Sequence, residues 1–162
     1  DRPVSYATSC TGQKDLYNYP RENPHKFHLG RLARLLDAKP LDAAQITKID
    51  QHLDLYAGII TSRFLLAGAP VEVITACHPK IDAVATRITS PLASAGRLAL
   101  QLLFPYASSG ISAADFNAAG KHQSRLVVSA TDLARIERKL DAMSYSTRLA
   151  WRGAGLLQHV AD

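Results

Sequence analysis

The chain has 162 residues and a formal net charge of +5; 47% of its residues are hydrophobic and only 7% are aromatic. A chain of this length suits one domain that buries roughly two thirds of its unfolded surface, so a core requires neither a metal nor several disulfides. No uninterrupted apolar run approaches the roughly 20 residues of a membrane-spanning helix. The sequence therefore predicts that the chain has no transmembrane segment.

The element with the clearest predicted boundaries is a long helix from Asp42 to Gly68. Asp42 and Gln45 have the spacing of a capping box, in which each side chain bonds to backbone N–H groups of the first turn. Gly68, with Pro70 shortly after it, is a typical helix end. Between these ends, apolar residues recur at the three- and four-residue steps of a helix face. These residues are Ile46, Ile49, Leu53, Tyr56, Ile60 and Phe64.

Prolines and capping residues divide the rest of the chain into shorter predicted helices. Ser90 before Pro91 marks the clearest start, because serine caps a first turn and proline is tolerated there. Ser112 and Asp115 form a second capping box. The predicted helices cover residues 25–38, 70–77, 79–89, 91–104, 112–120 and 132–143. In the last of these, Leu133, Ile136, Leu140 and Met143 form the apolar stripe.

One alternative to a helix remains open for Val71–Thr75, which is rich in β-branched residues and could be a short strand. Only Arg125–Ser129 has a similar character, so a partner strand is not evident from the sequence. We therefore predict an all-α fold, in which residues 25–162 form a single-domain bundle of about six or seven helices around the 42–68 helix.

The N-terminal residues 1–24 have no helical period. They contain three prolines together with Tyr6, Tyr17 and Tyr19. Because flexible tails are poor in aromatic residues, this composition predicts an extended arm that packs on the helical body.

The two cysteines, Cys10 and Cys77, match no zinc or CxxC spacing. A disulfide between them would attach the predicted arm to the body, and a bridge that closes so long a loop stabilises by roughly 3–5 kcal/mol. A disulfide implies an oxidising compartment, so we predict a periplasmic or secreted protein. The alternative is two unrelated free thiols, which would indicate a cytoplasmic protein.

Catalytic and metal-binding patterns are weak. His25 and His28 lie three residues apart, but no third ligand has a suitable spacing, so no metal site is predicted. On the predicted helix, Asp50 and Asp54 share a face while His52 points elsewhere, which is not an acid–base pair.

Two further motifs contain residues that could carry chemistry. Cys77 and His78 are adjacent, and adjacent helical residues do not face each other, although a remote histidine could still approach Cys77. Gly120-Lys121-His122 resembles the end of a phosphate loop, but His122 stands where a Ser or Thr would hold magnesium. No cofactor is predicted, and an enzyme with a site assembled from distant residues stays an alternative.

The predicted contact surface consists of Tyr145, Arg148, Trp151 and Arg152. In a helix Arg148 and Arg152 lie one turn apart, and Tyr, Trp and Arg are the residues enriched at interface hot spots. The alternative places Trp151 in the core with the arginines reaching outward.

The leading functional hypothesis is a non-enzymatic protein-binding module that is exported. Its Ala- and Arg-rich composition suggests that it is bacterial. An inhibitor or immunity protein, or an adaptor of an envelope or secretion assembly, would fit this description. The alternative is an intracellular helical nucleic-acid-binding protein, suggested by the charge of +5. That alternative requires the dispersed arginines to converge on one face. A groove for a small apolar ligand also stays open.

Overall fold

The computed structural model describes residues 11, 12, 14, 15, 28–108, 112–153, 157 and 158, without the side chains of residues 128 and 129. Antiparallel strands dominate these residues, so the prediction of an all-α bundle is wrong. The chain divides into two compact units. One is Arg31–Leu102, and the other comprises the described residues of Asp1–Gly30 and Leu103–Asp162.

The Arg31–Leu102 unit contains two sheets. Its elements are β1 (Arg31–Leu36), β2 (Lys39–Pro40), a 3-10 turn (Ala43–Gln45), β3 (Ile46–Asp54), β4 (Ile59–Leu66), β5 (Ala69–Cys77), β6 (Val84–Thr89), α1 (Pro91–Ser94) and β7 (Leu98–Leu103). A four-stranded sheet has the order β3-β4-β5-β6, and a three-stranded sheet has the order β2-β1-β7. The predicted helices over 25–38, 70–77 and 79–89 are wrong wherever the structure describes those residues.

The predicted 42–68 helix is a single 3-10 turn followed by two strands. Its capping box is confirmed: Asp42 Oδ1 accepts from the Ala44 N–H at 3.0 Å, and Gln45 Oε1 accepts from the Asp42 N–H at 3.2 Å. Ile46, however, already has extended backbone angles (φ −101°, ψ 117°) and begins β3. The box therefore starts a turn that strand pairing interrupts after three residues.

The glycine predicted to end that helix instead closes a hairpin. Leu66 pairs with Ala69, so Ala67 and Gly68 form a two-residue turn between β4 and β5. Both have left-handed backbones, with φ of 48° and 81°. Such a turn suits the right-handed twist of the flanking strands and favours Asn-Gly.

Replacing Ala67 by asparagine is expected to raise the free energy of unfolding by about 0.5–1 kcal/mol, because asparagine tolerates the left-handed conformation that strains alanine. Ala67 is exposed, so the new side chain meets no packing constraint. Urea unfolding followed by circular dichroism measures the change. The matched variant Gly68→Ala has open space for its Cβ but a strained φ, so it should lose about 1–2 kcal/mol. Equal stability of both variants would contradict the assignment of this turn.

The core of the Arg31–Leu102 unit lies on one face of the four-stranded sheet. Its buried residues are Leu36, Phe64, Leu66, Val71, Val73 and Leu92. Phe64 pairs with Val71 across β4 and β5, so both project to the same face. The strand alternative for Val71–Thr75 is correct, but its partners are β4 and β6. Arg125–Ser129 lies in a strand of the other unit.

The predicted helix over residues 91–104 is only one turn long. Ser90 caps it as predicted, since its Oγ accepts from the Leu92 N–H at 3.2 Å. Gly96 then adopts a left-handed conformation (φ 70°) and the chain continues as β7. Leu92 is the residue of this turn that joins the core.

An ion pair joins two turns of the same unit. Arg97 Nε and Nη2 donate to the two carboxylate oxygens of Asp37 at 2.8 and 2.7 Å, and the Asp37 N–H donates to the Arg97 carbonyl at 2.9 Å. The hydrogen bonds from Arg97 lower the pKa of Asp37, as do the charges of Arg97 and Lys39, while desolvation opposes them. The same pair raises the pKa of Arg97.

Because the pKa of Asp37 is lower in the folded state, its stabilising effect is present above the unfolded value and is lost as pH falls through the folded value. Asp37→Asn removes the charge but keeps a residue that tolerates the left-handed φ of 51°. We expect the variant to melt at a lower temperature than the wild type near neutral pH, and the difference to shrink as the pH falls below the ordinary aspartate pKa value of 3.8. Thermal melts at several pH values measure this; a difference independent of pH would contradict the ion-pair explanation.

The second unit is built on a three-stranded antiparallel sheet. Its elements are β8 (Tyr106–Ala107), β9 (Ala114–Asp115), a 3-10 turn (Ala119–Lys121), β10 (His122–Ala130), β11 (Leu133–Leu140) and β12 (Met143–Ala150). The sheet has the order β10-β11-β12, and β8 pairs with β9. Ala134, Ile136 and Leu140 of β11 are buried. The predicted helices over 112–120 and 132–143 are wrong.

Cys77 is an exposed free thiol at the end of β5, so the predicted disulfide is not formed. Cys10 lies outside the described residues. The prediction of export was derived from this bridge and loses that basis. Most of the predicted arm over residues 1–24 also lies outside the described residues, and the arm stays a prediction. No helix among the residues that the structure describes is long and apolar enough to span a bilayer.

Candidate functional site

The four residues predicted as a contact surface do not form one surface. Tyr145 and Arg148 lie three positions apart in β12, which places them on opposite faces of the sheet. The half-buried Tyr145 donates its hydroxyl to the Leu29 carbonyl at 3.2 Å, whereas Arg148 is exposed. Trp151 is half-buried after the strand and Arg152 is exposed. Only Arg148 belongs to a surface described below.

A buried arginine that the sequence analysis missed lies on the inner face of the same sheet. Arg138 is 1% exposed, and its Nη1 lies 3.0 Å from His122 Nδ1 and 2.5 Å from Ser124 Oγ. Its guanidinium carbon lies 4.6 Å from the centroid of the Phe104 ring. Because a guanidinium group has only donors, Arg138 Nη1–H is the donor and His122 Nδ1 is the acceptor. The sequence did contain one indication: Arg138 lies two residues from Ile136 and from Leu140, so in a strand it points to the same face as these apolar residues.

The other residues of this unit that the sequence analysis considered contact neighbouring side chains. Lys121 Nζ lies 5.4 Å from the Tyr106 ring centroid, and His122 is buried, so the phosphate-loop resemblance has no counterpart. The Tyr106 hydroxyl donates to Asp141 Oδ2 at 2.8 Å, a bond that raises the pKa of Tyr106 together with burial and the nearby charge. His28 packs edge-on against Phe116 at 5.8 Å between ring centroids. His25 lies outside the described residues.

The side chains of Asp50, His52 and Asp54 are arranged differently from their arrangement on the predicted helix. Two-residue steps along β3 place all three side chains on one face of the sheet. Neighbouring positions on a strand face are about 7 Å apart at the backbone. Asp54 Oδ1 instead accepts from the N–H groups of Tyr56 and Ala57 at 2.9 and 3.0 Å. The set therefore presents no formed acid–base pair.

The Cys77-His78 pair is also separated by local structure. His78 Nδ1 accepts from the N–H groups of Lys80 and Ile81 at 3.1 and 3.2 Å, which holds the imidazole in the loop after β5. The adjacent thiol of Cys77 is free and exposed. Within the described ranges, no three residues of the metal-ligand types His, Cys, Asp and Glu cluster to hold a metal ion.

Two surfaces remain that no sequence motif predicted. The first is the uncharged face of the four-stranded sheet, defined by the register of its strands. Moving from the core towards the β3–β4 turn, Gln51, Ser62, Val73 and Ile88 form one cross-strand row, and Leu53, Ile60, Thr75 and Thr86 form the next. The final pair is Cys77 and Val84. None of these ten residues is an aspartate, glutamate, lysine, arginine or histidine.

The uncharged face is covered at one end only. Val73 is 2% exposed, but Leu53 is 49%, Ile60 is 38% and Val84 is 67% exposed. The loops at the open end add further apolar side chains: Leu55 and Tyr56 in the β3–β4 turn, and Ile81 before β6, are all exposed. The apolar side chains on this face therefore extend past the buried core to exposed positions.

The opposite face of this sheet carries its charges. Asp50, Arg63 and Glu72 form one cross-strand row, in which Arg63 Nε donates to Glu72 Oε2 at 2.9 Å. His52 and Arg87 lie in the next row. The sheet thus has one face suited to water and one suited to burial.

The second surface is the basic face, the outer side of β10-β11-β12, defined by Arg125, Arg135, Lys139 and Arg148. Arg125 and Arg135 both pair with Glu137, the latter at 2.7 Å. Arg135 and Arg148 are direct cross-strand partners. Residues that are dispersed in sequence therefore converge on one face of this unit.

Comparison of the chain with protein families, with curated proteins and with solved structures found no match.

Proposed function

We propose that the chain is a protein-binding module that docks on another protein through its uncharged face. The observation that supports this proposal is the exposure of Leu53, Ile60 and Val84 in register on a face without charges. Exposed apolar surface that continues a core is typical of a protein–protein contact. An inhibitor or an adaptor acts by docking of this kind.

The chemistry of the face favours a protein partner. Burying one large apolar side chain contributes about 1.5–3 kcal/mol, so three such residues supply a substantial driving force. A polyanion would find no cation on this face, whereas an apolar sheet or helix face would be complementary. Gln51 Nε2 donates to Ser62 Oγ at 2.8 Å, which reduces the number of polar groups that a partner has to provide there.

Site-specific photo-cross-linking in the native host tests the proposal. A benzophenone amino acid would replace Ile60 or Val84 on the uncharged face, and Arg87 on the charged face as the matched control. We expect one protein adduct from Ile60 and Val84 and none from Arg87. The adduct should disappear when Leu53→Glu is added, because a carboxylate there would be desolvated on docking.

The partner identified in this way would then be purified and titrated with the full chain. We expect Leu53→Glu to weaken its binding by about 100-fold, which corresponds to the roughly 2.7 kcal/mol of one buried anchor lost. Adducts of equal yield from both faces, or none from Ile60 and Val84, would overturn the proposal. An adduct with a second copy of this chain would assign the face to self-association instead.

A further inference from the structure

The basic face has a charge arrangement that its own fold does not balance. Arg125 pairs with Glu137 across β10 and β11, and Arg135 pairs with Arg148 across β11 and β12. Lys139 lies two positions beyond Glu137 on the same face. Four positive charges and one negative charge leave a net charge of +3 on this side of the sheet.

The single carboxylate is already shared. Glu137 accepts from Arg125 and, through its other oxygen, from Arg135 at 2.7 Å. Arg135 and Arg148 face each other directly, and like charges at such positions destabilise a sheet. An anion bound between these guanidinium groups would remove that repulsion.

The groove beside these residues is rich in hydrogen-bond donors. It has a volume of about 510 Å³ and is lined by Gln123, Ser144, Tyr145 and Ser146 as well as by charged residues of β10 and β11. Tyr145, the aromatic residue of this lining, pairs with Arg138, so its side chain projects to the opposite face of the sheet, where its hydroxyl donates to the Leu29 carbonyl. A ligand with acceptor oxygens and dispersed negative charge fits such a surface, and a stacked base or an apolar anchor does not.

We propose that the basic face binds the sugar–phosphate backbone of a nucleic-acid duplex. Three of its four cations are arginines, whose planar guanidinium groups donate in pairs to phosphate oxygens. Along β11, Arg135 and Lys139 are separated by about 14 Å, so the cations span several phosphates of one strand. The contacts are to phosphates alone, which makes binding independent of base sequence.

Salt dependence gives the first test on the full chain. The probe is a short fluorescein-labelled DNA duplex of random sequence, followed by fluorescence anisotropy. With about four phosphate contacts, the logarithm of the association constant should fall with the logarithm of salt concentration with a slope of about −3 to −4. Affinity should therefore fall by about 100-fold between roughly 50 and 200 mM salt. A slope near zero would overturn the proposal.

Substitutions of opposite sign give the second test. Arg135→Gln should weaken duplex binding about 5- to 10-fold and reduce the magnitude of the slope by about 1. Glu137→Gln should strengthen binding about fivefold, because it removes the anion that occupies two arginines. The matched control is Arg87→Gln, which removes an equal charge from the charged face of the other sheet and should change affinity less than twofold. Circular dichroism establishes that each variant is folded.

Competition distinguishes the sources of anionic groups. Unlabelled duplex RNA should displace the labelled DNA, because both carry the same phosphates, and a single strand should compete less well. Displacement by polyglutamate at lower concentration than by duplex would overturn the proposal in favour of an acidic protein partner. Stronger displacement by heparin, at equal charge, would overturn it in favour of a sulfated polysaccharide. If Arg87→Gln and Arg135→Gln weakened duplex binding equally, the binding would depend only on the net charge of the chain, and this result would also overturn the proposal.

Discussion

Replacing Leu66 by alanine is expected to lower the free energy of unfolding by about 3–4 kcal/mol. Leu66 is 0% exposed and belongs to the core with Phe64, Val71 and Val73. The substitution removes buried methyl groups and leaves a cavity that the paired strands cannot close, and both effects destabilise. Urea unfolding followed by circular dichroism measures the loss.

The matched control is Leu65→Ala, the same change at the preceding residue. Leu65 pairs with Pro70 on the charged face and is only half-buried, so its loss should cost less than about 1.5 kcal/mol. A strand requires this difference between neighbours, because successive side chains point to opposite faces. Equal losses from the two variants would contradict the register of β4.

Replacing Arg138 by alanine is expected to lower the free energy of unfolding by about 3 kcal/mol. The variant removes a 1% exposed side chain, its contact with Phe104 and its hydrogen bonds to His122 and Ser124. His122 is itself 8% exposed, so its Nδ1 would lose a donor where water has little access. The loss therefore combines a cavity with the loss of these buried hydrogen bonds.

Arg138→Met separates these two causes. Methionine fills much of the same volume and requires no desolvation of a charge, so we expect it to recover about half of the loss. Lys139→Ala, the exposed neighbour on the opposite face, is the control and should change stability by less than about 0.5 kcal/mol. An Arg138→Ala variant as stable as the Lys139→Ala variant would show that the buried guanidinium is dispensable.

The long predicted helix failed because a bulge in β3 mimics helical spacing. Thr47 pairs with Leu65 and Asp50 pairs with Arg63, so Lys48 and Ile49 together oppose one residue, Phe64. Lys48 adopts a left-handed conformation (φ 51°) to allow this. The extra residue reverses the alternation of inward and outward positions. As a result, Ile46, Ile49 and Leu53 are spaced three and four residues apart, as on a helix face.

The second helical stripe failed for a different reason. In β11 the inward positions are Ala134, Ile136, Arg138 and Leu140, all of them buried. Because Ala134 is small and Arg138 is charged, the sequence does not show the two-residue apolar period of a strand. The predicted stripe instead included Leu133 and Met143, which are 40% and 57% exposed. Burial of an arginine depends on partners from other strands, which local periodicity cannot supply.

The sequence by itself determined the local features that need only neighbouring residues. The capping box of Asp42 and Gln45, the Ser90 cap and the left-handed turn at Gly68 all form where their residue types predict them. Each depends on hydrogen bonds or backbone strain within a few residues, so its signal is complete in the local sequence.

Tertiary structure decided which secondary structure these features bound and which side chains meet. Strand pairing brings Arg125, Arg135 and Arg148 onto one face, and Leu53, Ile60 and Val84 onto another. Hairpin turns and a bulge determine which residues of each surface become neighbours. A shift of one residue in the pairing of a strand would move its side chains to the opposite face. Register is a property of the paired strands, and so both candidate surfaces exist only in the folded sheets.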